Sequence, residues 1–300
     1  MIVRLLPVLV AAALLAAGCG EREEPVGEIQ VEYPVTVRGG GEDRTVLSAA
    51  PERIVALAPD GAEILVRLGI GPRLVGVPAG VERAPSGAGQ VASLSGQVDL
   101  SEVVKLEPDL LVATRTTDPV DVALAQQRTN AALYEQPADS VNDAERAIVE
   151  LGFLVGEPVA ARRLAGRVEE RIAAIQRRLS GDPVTTVFID TGFFVTVPAR
   201  SLLGDLVRRA GGRSVGGETP GFEPFDLERL AELDPDVYLA TSDSRVTLRR
   251  LRSDPRTRRL TAVREGRFVV LDAGLVTSAG PQVAEALEAI ARALHPDAFR

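Results

Sequence analysis

The chain has 300 residues, 45% hydrophobic and 25% charged, with one cysteine, one histidine and no tryptophan. That length allows two lobes with sizeable cores, and a lone cysteine leaves no internal disulfide to hold them. A net charge of −8, or −9 once an N-terminal segment bearing Arg4 is removed, argues against nucleic acid and against attraction to an anionic lipid surface, and one histidine argues against a zinc or manganese site of His ligands.

Arg4 precedes an apolar run from Leu5 to Ala17, too short to span a bilayer and right for an export signal. Small residues then lead into Cys19. This segment resembles a bacterial lipoprotein signal, in which Cys19 is acylated and becomes the first mature residue, although Ala16 stands where such signals usually carry leucine. The expectation is a signal peptide over 1–18, a solvated tether over 19–32, and an extracytoplasmic protein held to the membrane by acyl chains.

Tyr33 to Val37 and Arg44 to Leu47, on either side of Gly39-Gly40-Gly41, predict a hairpin. Arg53 to Leu57 predicts a strand, Ala62 to Leu68 a helix ended by Gly69, and Leu74 to Val77 another strand. Next comes a phrase the chain uses twice. Asp99-Leu-Ser-Glu-Val-Val-Lys-Leu-Glu-Pro-Asp109 before Leu110 to Thr114 is echoed by Asp226-Leu-Glu-Arg-Leu-Ala-Glu-Leu-Asp-Pro-Asp236 before Val237 to Thr241. Each copy reads as an Asp-capped helix with one apolar face, a proline that stops it, and a run of strand formers. Two copies predict two lobes on one plan, with a site between them.

From Pro158 to Ser180 the pattern becomes one long helix with Leu164, Val168, Ile172, Ile175 and Leu179 on a single stripe, spanning roughly 34 Å at 1.5 Å per residue. Beyond it, Thr186 to Asp190 predicts a strand, Leu202 to Ala210 a helix capped by Ser201, Arg267 to Leu271 a strand, and Pro281 onward a last helix. The fold class is therefore α/β, two Rossmann-like lobes over 33–157 and 182–300 joined by one rigid helix over 158–181. Gly212-Arg213-Ser214-Val215-Gly216 matches the nucleophile-elbow pattern G-x-S-x-G, but a helix ends before it and glycine-rich loop is expected around it, so no enzyme is expected.

The ordered set Pro51 to Pro59, Glu63-Ile-Leu with Leu68-Gly69, Leu106 to Leu110, Ser201 to Asp205, Ala210-Gly-Gly212, Leu233 to Asp236, Gly266 to Val270 and Gly280-Pro281 resembles the helical-backbone (class III) substrate-binding proteins of ABC importers. These serve iron–siderophores, haem and cobalamin. The resemblance implies two α/β lobes bridged by a helix with little hinge motion, a shallow cleft for a small-molecule metal chelate, and partnership with a permease and its ATPase. It implies docking through one acid per lobe, Glu228 in the second and, at the matching position of the first, Ser101, with Glu102 one residue later. A monomer without cofactor or resident metal is expected.

Ligands of parallel α/β lobes lie outside the carboxyl ends of the strands. Reading those ends gives Pro59, Asp60 and Gly61, Arg83, Arg115, Phe193, Phe194, Arg200, Phe222 and Arg245 as candidate ligand contacts. Arginine forks suit carboxylate or catecholate oxygens, so Arg115, Arg200 and Arg245 are expected to neutralise an anionic ferric siderophore. A corrinoid ligand, or a scaffold or sensor role on the same fold, is the alternative.

Overall fold

The computed structural model describes residues 30–41, 44–93 and 95–300; the signal, Cys19 and the tether up to residue 29 lie outside the described residues. The first lobe runs β1 (Val35–Val37), β2 (Thr45–Leu47), β3 (Ile54–Ala56), α1 (Pro59–Arg67), β4 (Leu74–Pro78), β5 (Gly89–Ala92), α2 (Leu100–Lys105), β6 (Leu110–Thr114), α3 (Pro119–Thr129), β7 (Ala132–Gln136) and α4 (Val141–Leu154). β1 and β2 pair as an antiparallel hairpin, and the other strands form a parallel sheet of order β5-β4-β3-β6-β7.

After α5 (Pro158–Arg178) the second lobe runs β8 (Thr185–Asp190), β9 (Val195–Thr196), α6 (Leu202–Arg209), β10 (Gly212–Ser214), β11 (Glu223–Pro224), α7 (Leu227–Leu233), β12 (Val237–Thr241), α8 (Leu248–Ser253), α9 (Thr261–Arg264), β13 (Phe268–Leu271), α10 (Ala273–Val276) and α11 (Val283–Leu294). Its parallel sheet has the order β10-β8-β12-β13, separate from the first, and β9 and β11 form a short antiparallel ribbon. In each lobe the chain leaves one strand, β3 or β8, toward both sides of the sheet. Those two strands mark the switch points outside which open α/β sheets take ligands.

Strand alternation sorts the core into layers. Ile54, Ala56, Leu110 and Val112 face inward, and Val55, Leu57, Leu111 and Ala113 pack outward with residues of α2 and α3. In the second sheet Val187, Ile189, Val237 and Leu239 face inward, and Phe188, Tyr238 and Ala240 pack outward with α7, α8 and α9. The two inward layers belong to one continuous core, which runs through the Leu164, Val168, Ile172 and Ile175 stripe of α5. Gly152 of α4 allows the close approach on one side of that helix: a Cβ there would lie 2.1 Å from the Cβ of Ala161.

The repeated phrase forms equivalent structure twice. Asp99 accepts the amides of Ser101 and Glu102, and Asp226 that of Arg229, each starting its helix. The Asp after each proline ties down the central strand beside it: Asp109 accepts the amides of Glu52 and Arg53 at 2.7 and 3.1 Å, and Asp236 that of Thr186 at 2.8 Å.

Two expectations are corrected. Pro59, Asp60 and Gly61 are the first turn of α1 rather than a loop, because proline needs no amide partner at the first helical position. Gly212 to Ser214 is an edge strand paired with β8, because Gly211, at φ +77°, turns the chain back along the sheet.

Candidate ligand-binding cleft

Between the lobes lies an open cavity of about 620 Å³, bounded by Ala58 to Asp60 after β3, by Ala79, Gly80 and Glu82 after β4, by Thr116 after β6 and by Asp272, Gly274 and Leu275 after β13. α1 contributes Glu63 and Arg67 to its wall, and α11 Glu285. The charged lining is thus five carboxylates, Asp60, Glu63, Glu82, Asp272 and Glu285, against one guanidinium. Burial raises the Glu63 carboxyl above its usual range; Arg67 opposes that shift, while the charges of Glu82 and Asp60 add to it.

The lobes are stitched beside this cavity. Asp60 accepts the Ser278 hydroxyl at 2.6 Å and the Ala279 amide at 3.2 Å, and Gln136 donates to the Ala279 carbonyl at 2.8 Å. Farther along, Asp205 of α6 accepts the amide of Val141, and Arg209 donates to Asn142 at 2.7 Å. Burial also raises the Asp60 carboxyl, with the two hydrogen bonds opposing.

The expected contacts therefore divide. Pro59 and Asp60 line the cavity, Asp60 with its carboxylate already engaged across the lobes. Gly61 does not face a ligand: it is buried where a Cβ would meet Val112 at 2.5 Å. Arg83, Arg115, Arg200 and Arg245 are exposed and none lines the cavity, and Arg115 is paired with Asp139 at 2.6 Å. The expected basic lining is an acidic one, because the strand-end arginines splay into solvent while the first turn of α1 and the wall of α11 supply carboxylates.

Phe193, Phe194 and Phe222 also lie off that cavity, in the segments flanking the β9–β11 ribbon. Phe193 is 58% and Phe222 68% exposed. Phe193 and Phe194 have φ of +50° and +68°, a left-handed conformation that costs residues with a Cβ. Asp190 holds them there. One carboxylate oxygen accepts the amides of Gly192 and Phe194 at 2.9 and 3.2 Å, and the other accepts the Tyr238 hydroxyl at 2.5 Å. Burial raises the Asp190 carboxyl, and burial together with the Asp190 charge raises the Tyr238 phenol. Sequence reading missed this brace, as it missed Glu63 and Glu285; an acid closing a strand one residue before Thr-Gly-Phe-Phe was the available signal.

The G-x-S-x-G segment has no triad geometry. The His295 ring lies against Gly211, where a Cβ would be 2.9 Å from Nε2, and Ser214 is three residues farther along the strand, about 10 Å at the usual rise. Among the described residues no group of three or more His, Cys, Asp and Glu side chains is arranged to hold a metal, and no helix is long and apolar enough to cross a membrane.

A family model described as periplasmic binding protein matches residues 54–275, from β3 through α10. The chain belongs to that family. Two curated relatives are similar over most of the chain. The uncharacterized ABC transporter substrate-binding lipoprotein YvrC of Bacillus subtilis is 24% identical, over 97% of this chain and 96% of its own. A cobalamin-binding protein of Halobacterium salinarum is 24% identical over 88% of this chain and 74% of its own. Among solved structures, a possible iron-binding, periplasmic solute-binding protein of Staphylococcus epidermidis superposes with a TM-score of 0.75 at 18% identity, over 82% of this chain and all of that one. The two-lobed α/β architecture is thus that of periplasmic binding proteins.

The residues expected to dock a permease are placed unequally. Glu228 is exposed in the first turn of α7. Ser101 turns its hydroxyl back to Asp99 at 2.7 Å. Glu102 is held by Lys105 at 3.0 Å with its side chain 26% exposed, and it crowds Gly89 of β5.

Proposed function

We propose that this chain is the substrate-binding lipoprotein of an ABC importer, anchored through Cys19 outside the cytoplasmic membrane, and that its cleft takes a neutral or cationic metal chelate, a corrinoid first. The acidic lining of the cavity carries this reading. A negative group about 6 Å from one carboxylate is opposed by about 3 kcal/mol at an effective dielectric constant of ~20. Of the five carboxylates lining the cavity, Glu285 is paired with Arg171 and Glu63 with Arg67, and Asp60, Glu82 and Asp272 remain to disfavour the anionic ferric siderophore that the strand-end arginines had implied.

A corrinoid bears uncharged amide arms, whose N–H groups suit carboxylate acceptors. The cobalamin-binding name of the halobacterial relative and the ABC-transporter name of the Bacillus relative support the same reading. In it the lobes over 33–157 and 182–300, spaced by the helix over 158–181, act as a monomer and dock on a permease through Glu228, with a separate ATPase.

The test is thermal unfolding of the chain from Gly20 onward, which retains every described strand and helix, with cyanocobalamin, ferric enterobactin and ferrioxamine. A ligand that binds only the folded form raises the melting temperature. Cyanocobalamin is expected to raise it and the anionic catecholate to leave it unchanged. A rise with the catecholate alone would overturn the assignment.

A further inference from the structure

Between residues 245 and 267 the chain places nine arginines against two acids, Asp254 and Glu265, a net of +7 within a chain of net −8. The segment covers the outward face of the second sheet: Val246, Leu251, Leu260, Ala262 and Val263 are buried there. Arg249, Arg252, Arg256, Arg258, Arg259 and Arg264 are all exposed. Among the described residues only Arg256 of these six meets a carboxylate, that of Asp254 at 2.9 Å. Like charges gathered with few acids repel one another in the free protein, and an anionic surface turns that repulsion into attraction. The Glu228 charge acts on Arg256, so the patch adjoins the acid expected to meet the permease.

We infer that this surface rests on anionic phospholipid headgroups and holds the second lobe against the leaflet. The occupant follows from charge complementarity: guanidinium forks match phosphate oxygens, and a broad set of separate exposed arginines suits a laterally mobile field of phosphates. Each arginine at an anionic membrane surface strengthens binding by about fivefold, and salt weakens the effect within a Debye length of about 10 Å at 0.1 M. The net charge of the chain had argued against such a surface because the sum hides a basic face on an acidic protein. This inference requires the membrane location of the proposed function and is independent of the ligand.

The experiment is co-sedimentation of the chain from Gly20 onward with vesicles of phosphatidylcholine containing about one-third phosphatidylglycerol, or of phosphatidylcholine alone, at low and high salt. Binding is expected only to the anionic vesicles and only at low salt. Replacing Arg252, Arg258 and Arg259 by Glu should weaken it by about a hundredfold or more, whereas the same charge change at Arg163, Arg167 and Arg177 of α5 should leave most of it. The corresponding Gln variants serve if a Glu variant melts early. Absence of binding, or equal loss in both triple variants, overturns the inference. So does a patch variant that loses only binding to the permease in neutral phosphatidylcholine discs, which would make the partner a protein. Cyanocobalamin binding should be unchanged in the patch variant, so failure of the ligand assignment and failure of the lipid surface read out separately.

Discussion

At the scale of single residues, Asp190 shows how one buried carboxylate sets a surface. It closes the central strand β8, and its two oxygens collect two loop amides and a phenol, leaving Phe193 exposed on a strained turn. Its folded pKa is raised by burial, so the folded state binds the proton more tightly than the unfolded chain, whose Asp titrates near 3.9. The linkage sign follows: Asp190 makes stability fall as pH rises from about 4 through the raised folded value, and above that window the loss is complete. Asparagine keeps the oxygen that accepts the Gly192 and Phe194 amides and cannot ionise. Asp190→Asn should therefore gain melting temperature relative to the natural protein between pH 4 and pH 7.5. Scanning calorimetry at those two values checks it, and a constant difference would mean the carboxylate does not titrate in that window. Little of this brace was legible beforehand, because a hydrogen bond from Tyr238 to Asp190, 48 positions away, leaves no local sequence pattern. Strand alternation and helical stripes, which depend on near neighbours, were legible in the repeats, in α5 and in the central strands, whereas α3, β7 and α4 are not assigned from sequence.

At the scale of elements, the repeated αβ unit was legible because its function is structural in both copies. An Asp caps each helix, and the Asp after each proline anchors the start of the neighbouring central strand. The same comparison shows where the copies diverge. α7 offers Glu228 to solvent, whereas at the matching place in α2 stands an exposed serine whose hydroxyl is bonded to Asp99, and the next acid is paired with Lys105. If a permease meets this face, the second lobe supplies the contact. Glu228→Ala is expected to lower ligand uptake by about tenfold or more, since removing one partner of a close interfacial charge pair commonly costs 2–5 kcal/mol. Glu102→Ala should leave uptake within about twofold. Uptake of labelled ligand in cells carrying each variant measures both, and equal losses would show that Glu102 breaks from Lys105 to dock. The strand-end arginines do not line the cavity, for a physical reason: a sequence shows that a residue follows a strand, but the side-chain direction is set by the turn, and Arg83 and Arg245 sit at positive φ.

At the scale of the molecule, two separate sheets behave as one body because the layer between them is shared. The inward residues of both sheets, the stripe of α5 and the apolar face of α11 form one core, and hydrogen bonds accepted by Asp60 and Asp205 and donated by Gln136 close the seam near the cleft. Domains joined by a linker alone unfold in separate steps, whereas a core in common makes opening either lobe expose part of the other. Calorimetry is therefore expected to show a single transition with equal calorimetric and van't Hoff enthalpies. Gln136 is the sharpest probe, being fully buried with its amide donating to Ala279 of the opposite lobe. Gln136→Leu leaves that carbonyl without its donor at a cost of about 1–3 kcal/mol, worth about 2–4 °C per kcal/mol in a chain of this size. The loss should lower the one transition without splitting it. Two resolved transitions, in the natural protein or the variant, would show that the lobes melt independently and that the cleft is hinged rather than fixed.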